Sequence, residues 1–215
     1  MKMQEPLTVS APGGAETVLL HSCCAPCSSA IIECLMRSGI RPTIYYCNPN
    51  IYPLEEYLIR KNECTRYAQS LGLEIVDADY DHEDWLRWVR AEAASDGCLS
   101  IETERERGGR CLECFKYRLL KSAEYALEHG FTVLTTTLAS SRWKSLEQID
   151  GAGNWAVERA LEGAGAGREL IWWGQNWRKG GLQERRNQII REYGFYNQTW
   201  CGCEFSVRDA RSGRA

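Results

Sequence analysis

Seven of the eleven cysteines in this 215-residue chain fall into three tight groups. CysCysAlaProCys holds Cys23, Cys24 and Cys27, ArgCysLeuGluCys holds Cys111 and Cys114, and CysGlyCys holds Cys201 and Cys203. Thiolates are redox nucleophiles and ligands for soft metals, so grouped cysteines point to metal binding or disulfide exchange. An odd total cannot pair completely within one molecule, and clustered thiols in a reducing compartment serve more often as ligands or redox groups than as bridges. One Cys-x-x-Cys reads as a redox pair or as half a zinc site with equal ease. Three groups carry more: four thiolates suit a zinc ion or a cubane cluster, and seven leave enough for a second metal or a redox pair. Cys34 and Cys64 fall on apolar helix faces and read as buried small hydrophobes. Cys47, at the end of a strand, reads as structural, and Cys98 in an irregular excursion receives no role. The three histidines are scattered, which disfavours a His-rich site; His21 reads as a buried, hydrogen-bonded ring.

These groups form a site only if the fold brings them together. Short β-rich runs at 16–21, 42–47, 73–77, 131–137 and 169–173 alternate with helical patterns at 28–37, 53–70, 82–94, 112–129, 144–161 and 181–193. Such alternation predicts an α/β fold, one parallel sheet with helices on both faces. Apolar stripes such as Leu119, Ala123, Ala126 and Leu127 face the sheet, and Gly39, Gly72 and Gly130 follow helix ends where a left-handed residue is needed. Ligands of open parallel sheets gather beyond the carboxyl ends of strands, where strand order reverses. CysCysAlaProCys directly follows the first strand, Cys111 and Cys114 sit at a helix start, and Gly202 lets the backbone of the last group bend tightly.

The 26 basic and 29 acidic residues give a net charge of −3, which excludes a uniformly basic nucleic-acid coat while permitting a local basic stripe. An apolar fraction of 44% fills one sizeable core. No apolar run reaches the ~20 residues of a membrane span and no secretory pattern opens the chain, so a cytoplasmic location is expected. The expected organisation is a flexible segment at 1–15, one domain at 16–206 and a flexible tail at 207–215.

Five stretches in order, LLHSCCAPCSS at 19–29, YYCNPNIYPLEEYLIRKNE at 45–63, RCLECFKYRLL at 110–120, TTTLASSRWKS at 135–145 and YNQTWCGCEFS at 196–206, resemble the QueH family of epoxyqueuosine reductases. The resemblance implies a single-domain, HUP-like (Rossmann-like) α/β fold, a [4Fe-4S] cluster with a second mononuclear iron close by, and reduction of epoxyqueuosine to queuosine in tRNA, with electrons from an external donor. The sequence departs from the family pattern at Arg142, where a proline is expected, at Trp143, which replaces the usual tyrosine, and at residues 175–179. These departures bear on substrate contacts more than on metal chemistry.

On that reading the cluster takes Cys24, Cys111, Cys114 and Cys203, with Cys23, Cys27 and Cys201 left for the second iron. Cys23 and Cys24 are split because adjacent side chains commonly diverge. Asn48 and Asn50 offer amides to a cyclopentane-diol, although AsnProAsn is equally a plain turn. Tyr57 and Arg60 stand behind them. Tyr80 and Asp81 suit hydroxyl positioning or proton delivery, and Asp81 suits helix capping as well. Ser141 and Lys144 stand at a helix start where phosphate could approach. For tRNA, Trp172, Trp173, Trp177, Arg178, Lys179, Arg185 and Arg186 interleave aromatics with positive charge, with core packing and a solvated face as the alternative. Two rival readings stay open: a zinc-stabilised RNA-binding module, and a thiol–disulfide oxidoreductase using Cys24 and Cys27 or Cys111 and Cys114.

Overall fold

The computed structural model describes residues 7–95, 97 and 100–206. Five strands, β1 (Thr17–His21), β2 (Arg41–Tyr46), β3 (Ile75–Asp77), β4 (Val133–Thr136) and β5 (Ile171–Trp172), form one parallel sheet in the order β3-β2-β1-β4-β5. Six helices complete it: α1 (Ala25–Arg37), α2 (Leu54–Ser70), α3 (His82–Ser95), α4 (Gly109–Glu128), α5 (Leu146–Ala164) and α6 (Leu182–Tyr193). Strand order reverses about β1, so the carboxyl ends of β1 and β4 open the crevice where Rossmann-like sheets take their ligands. A 3₁₀ turn, Thr137–Ser140, closes the end of β4.

The central strand is buried on both faces through the continuous apolar run Val18, Leu19 and Leu20, with only Thr17 at its start exposed. Val18 and Leu20 enter the core beneath α1, α2 and α6, whereas Leu19 enters the one beneath α4 and α5. A third, smaller core joins Trp85, Val89 and Ala93 of α3 and Cys114 and Tyr117 of α4 to Ile101, Cys203 and Phe205. At roughly 1.5–3 kcal/mol for each large apolar side chain fully buried, Trp85 and Phe205 do much to hold the C-terminal segment against α3 and α4. No helix is long and apolar enough to cross a membrane among the described residues.

Two local differences from the sequence reading matter for the site. The first helix starts at Ala25, not Ser28, because Pro26 occupies the first turn, where a missing N–H costs no hydrogen bond. Cys24 thereby becomes the N-cap residue and Cys27 a first-turn residue. Residues 7–15 were expected to lie outside the domain, yet Val9 N–H donates to Ser38 Oγ at 3.0 Å and Cys34 Sγ to the Leu7 carbonyl at 3.3 Å. Leu7, Val9 and Ala11 are apolar at alternate positions and pack on the main core. Residues 1–6 and 207–215 of the expected flexible segments lie outside the described residues, as does Cys98.

Helix α5 approaches β5 closely because Gly153 carries no side chain: a Cβ there would stand 2.1 Å from Cε2 of the Trp172 indole. A rigid, half-buried indole cannot yield that distance without shifting the strand, so Gly153→Ala should lose about 1–3 kcal/mol to overpacking against a helix-propensity gain of at most ~1 kcal/mol. The expected result in urea denaturation is a lowered midpoint; an unchanged or raised midpoint would contradict this packing.

Candidate metal centre

The chain leaves β1 at His21, passes the fully buried Ser22 and turns into α1 through three cysteines. Cys24 takes the extended N-cap conformation, φ −176° and ψ 159°, which folds its side chain back beside its neighbour. The Sγ atoms of Cys23 and Cys24 are 3.9 Å apart, and those of Cys23, Cys24 and Cys27 all lie within 4.8 Å of one another. The divergence expected of adjacent side chains is therefore overcome by the cap geometry. A tetrahedral ion at about 2.3 Å from each sulfur would hold such atoms roughly 3.8 Å apart, so the trio fits a single metal ion with a position left open. Thr137 Oγ1 accepts from the Cys23 N–H at 3.1 Å and donates to Cys23 Sγ at 3.3 Å, and Gln198 Nε2 donates to Cys24 Sγ at 2.6 Å.

The trio's proton affinities diverge as one negative charge shared by three sulfurs requires. Hydrogen bonds from Cys24 and Cys27 hold the Cys23 thiol well below its ordinary range against the opposing effect of burial, with Lys144 and Thr137 assisting. Burial pushes Cys24 well above that range, and the neighbouring Cys23 pushes Cys27 up to about 11. A metal bound here would displace the remaining protons.

Cys111 and Cys114 lie three residues apart in the first turn of α4 and so share one face. They line a small cavity of about 30 Å³ together with Cys201 and Cys203, 90 residues later in the chain for the first member of each pair. The late loop is held by Arg60 of α2, whose Nη1 donates to the Cys201 carbonyl at 3.1 Å and Nη2 to the Trp200 carbonyl at 3.4 Å. The Gly202 carbonyl accepts from the Tyr52 N–H at 2.9 Å. Gly202 has φ +101°, and a Cβ there would stand 2.9 Å from Ile51 Cγ1 and 3.0 Å from Arg60 Nη1, so only glycine fits. Desolvation raises the thiols of Cys111, Cys114 and Cys203, Cys111 to about 12, and the proximity of Cys201 adds to the effect on each. Trp85 and Arg110 belong to the same wall: the Trp85 N–H faces Cys114 and eases its deprotonation, and Arg110 Nη2 is buried with no hydrogen-bond partner. N–H donors beside four sulfurs match the outer shell that a metal–thiolate group requires.

Lys144 joins the two sulfur sets electrostatically. Burial alone would lower its proton affinity, but the Coulombic influence of Cys201, Cys23 and Cys27 raises it. Arg118 behaves in the same way: burial opposes its charge, while Cys114, Cys23 and Cys201 favour it. Thiols from the beginning, middle and end of the chain thus act on one buried and one half-buried cation.

The other residues singled out from sequence are placed as follows. Asn48 is buried and committed to the scaffold: Nδ2 donates to the Ser22 carbonyl at 2.8 Å and Oδ1 accepts from Arg118 Nη2. Asn50 is equally buried, with Oδ1 unpartnered. Tyr57 donates to Asp77 Oδ1 at 2.9 Å and Tyr80 to the Ile51 carbonyl at 2.8 Å. Asp81 Oδ1 caps α3 by accepting from the Asp84 N–H at 2.8 Å. Ser141 Oγ accepts from the Trp143 N–H at 3.3 Å, and Arg178 Nη2 donates to the Lys144 carbonyl at 2.7 Å. Lys179 is exposed. His21 is buried between Thr136 Oγ1, 2.7 Å from Nδ1, and the Cys47 carbonyl, 3.1 Å from Nε2; burial and Arg118 lower its pKa to about 3, which keeps the ring neutral. Cys34, Cys47 and Cys64 are buried in the apolar cores.

The stretch expected to stack RNA bases does not present its aromatics. Trp173 and Trp177 are buried and Trp172 is half-buried against α5, because the short strand β5 turns them into the core. Arg185 is held by Glu33 at 2.7 Å and Glu192 at 2.9 Å, and Arg186 by two asparagines. Sequence reasoning noted Arg110 as positive charge beside Cys111 and Cys114 but gave no role to Thr137, Arg118, Trp85 and Gln198. Thr137, Arg118 and Gln198 were within reach, since each lies in one of the five family-like stretches; Trp85 shows no signal without the fold.

Fold and site together define a Rossmann-like α/β protein with a cysteine cluster, following the central strand of its sheet, that could hold a metal ion. The family profile described as "Epoxyqueuosine reductase QueH" matches residues 18–209. Curated relatives named epoxyqueuosine reductase QueH include those of Haemophilus influenzae, 45% identical over 94% of this chain and 76% of the relative, and Acinetobacter baylyi, 40% identical over 94% and 86%. The protein of that name from Thermotoga maritima is 29% identical over 93% of this chain and 94% of its own. The chain belongs to the QueH family, a family of oxidoreductases. Among solved structures, a short-chain dehydrogenase from Streptomyces avermitilis aligns over 95% of each chain at 14% identity with a TM-score of 0.31, a likeness too weak to inform function.

Arg60 and Glu56 are both buried, with Nε to Oε1 at 2.7 Å. Arg60→Met would strand the carboxylate and should cost about 3–5 kcal/mol in equilibrium unfolding, while adding Glu56→Leu should recover most of it. Both variants lose the clamp on the late loop, so both should bind less metal per chain than the parent. Full metal content in the double variant would show that Arg60 does not position the loop.

Proposed function

We propose that this protein reduces epoxyqueuosine to queuosine in tRNA, the last step of queuosine biosynthesis, using an iron–sulfur cluster and a neighbouring iron. The observation that carries the reading is that three thiols cluster after the central strand and four more, from two distant stretches, line one cavity, with Lys144 and Arg118 under the electrostatic influence of both sets, in a chain of this family. Removing an epoxide oxygen consumes two electrons and two protons and yields an alkene and water. When bound, a [4Fe-4S] cluster relays single electrons and a second iron offers an open Lewis-acid position beside it. Two electrons per turnover then come from an external donor.

The division of ligands that the geometry supports is four and three. Cys111, Cys114, Cys201 and Cys203 hold the cluster, and Cys23, Cys24 and Cys27, packed at single-ion spacing, hold the second iron. Cys24 thus moves from the cluster, where the sequence reading put it, to the second iron, and Cys201 makes the opposite move. Lys144 and Arg118, under the influence of both sets, balance the thiolate charge. Thr137 and Gln198 orient Cys23 and Cys24 by the hydrogen bonds given above, as outer-shell partners do. Asn50, whose buried Oδ1 has no partner, accepts a hydroxyl of the cyclopentane-diol, while Asn48, Tyr57, Tyr80 and Asp81 keep the pocket's walls in register. A cytoplasmic setting, reducing and rich in tRNA, suits both the free thiols and the substrate.

The test is anaerobic purification with iron and acid-labile sulfide quantitation, followed by single turnover on epoxyqueuosine-containing tRNA. The parent should be brown and active, and Cys111→Ala should lose chromophore and turnover together. An active, fully chromophoric Cys111→Ala protein refutes the ligand role. A colourless zinc protein without turnover would leave an RNA-binding module, and metal-free turnover a thiol–disulfide enzyme.

A further inference from the structure

The mouth of the cysteine pocket carries a feature that metal binding does not explain. Trp143, alone among the eight tryptophans, is exposed, at 68% of its surface, and its residue also lines the cysteine cavity. An indole so far from the core contributes little to folding, yet its backbone is held firmly. Arg107 Nε donates to the Trp143 carbonyl at 2.8 Å and Arg107 Nη2 to the Arg142 carbonyl at 3.0 Å. Arg178 Nη2 holds the next carbonyl, that of Lys144. Arg107 is itself the one described non-glycine residue with positive φ, +71°, a conformation that costs energy and persists only where the surroundings impose it. Gln148 Nε2 imposes it by donating to the Arg107 carbonyl at 2.8 Å, and the Arg107 N–H reaches Cys111 Sγ at 3.3 Å. One strained residue therefore ties a cysteine to the loop that displays the indole.

The surroundings are positive. Arg107 and Arg142 are exposed and lie close enough to Arg178 that, after burial, their charges further lower its proton affinity. Glu106 stands in the pocket wall, but among the described residues no carboxylate forms an ion pair with Arg107, Arg142, Lys144 or Arg178. Uncompensated guanidiniums around an exposed flat ring complement a polyanion that carries unpaired bases, which is single-stranded RNA.

We propose that Trp143 is the stacking platform for an unpaired base beside the nucleoside being reduced, with Arg107, Arg142 and Arg178 taking the flanking phosphates. The assignment rests on the tRNA-reductase reading and adds to it the surface that receives the anticodon loop. The modified nucleoside enters the cysteine pocket, and its neighbour in the loop remains outside on the indole. This basic aromatic surface lies at residues 107, 142, 143 and 178, and the aromatics of the segment at 172–177 stay in the core.

Binding of an end-labelled anticodon stem–loop RNA to anaerobically prepared holoprotein, followed by fluorescence anisotropy, tests it. Trp143→Ala should weaken binding about tenfold or more, the loss of one base stack, with the cluster absorbance unchanged, and Trp143→Phe should recover most of that loss. Arg142→Glu should flatten the dependence of log Kd on log salt by roughly 0.7 for each phosphate that is no longer neutralised. Parent-like affinity and turnover in Trp143→Ala would overturn the stacking assignment while leaving the reductase intact. Polyglutamate competing as well as RNA of equal charge would overturn it also, because charge alone would then account for binding. A parent that neither binds nor turns over the tRNA would remove the reductase reading and this assignment together.

Discussion

Withdrawing seven sulfurs from solvent, wholly or in part, in two sets is an electrostatic problem, and the surrounding fold is arranged to meet it. Thiolates in a low-dielectric interior require positive charge or a metal beside them. Lys144 and Arg118 supply charge from two sides, and each is held in its charged form by the same sulfurs it stabilises. The neutral His21 beneath them fits this pattern: with Arg118 close by, a second buried cation at that point would be repelled. N–H groups on Trp85 and Arg110 complete surroundings suited to a group richer in negative charge than the thiols alone.

The two sulfur sets are held with different stiffness. Cys23, Cys24 and Cys27 follow a fully buried central strand and a proline-started helix, so their positions derive from the middle of the sheet. Cys201 and Cys203 arrive on a loop that has no sheet of its own. That loop depends on long-range ties: the Arg60 clamp, the Tyr52 N–H to the Gly202 carbonyl, and the packing of Phe205 against α3 and α4. His82, 3.2 Å from Glu204 and 2.7 Å from the Pro49 carbonyl, adds a further tie between the end of β2 and the same segment. Much of the chain between residues 48 and 82 therefore serves to bring the last cysteines home. Asn48, Tyr57 and Tyr80, which look in sequence like substrate groups, spend polar atoms on hydrogen bonds within the scaffold, to the Ser22 carbonyl, Asp77 and the Ile51 carbonyl.

The fold was legible because its signals are local and repeated. Five strands were expected and the described residues form five, since apolar runs between amphipathic helices admit little besides a parallel sheet. Helix ends shifted by a few residues where punctuation competed with periodicity, as at Pro26. The interleaved tryptophans and arginines near the end of the chain misled for a physical reason: composition records that an indole is present, whereas burial decides whether its face is available. Trp177 at 1% exposure and Trp143 at 68% are the same residue type in two different roles.

Sequence by itself determined which thiols are grouped and to which family the chain belongs, because cysteine spacing, strand-to-helix junctions and motif order are properties of the linear chain. It also determined the sheet, through periodicity that acts over a few residues at a time. Only the tertiary structure decided that Cys24 joins Cys23 and Cys27, that Lys144 and Arg118 come under the influence of both sulfur sets, and that Trp143 is exposed beside the cysteine cavity. Those relations link residues as many as 174 positions apart, as between Gln198 and Cys24. Charge, distance and exposure at such separations are set by packing, which no local pattern encodes.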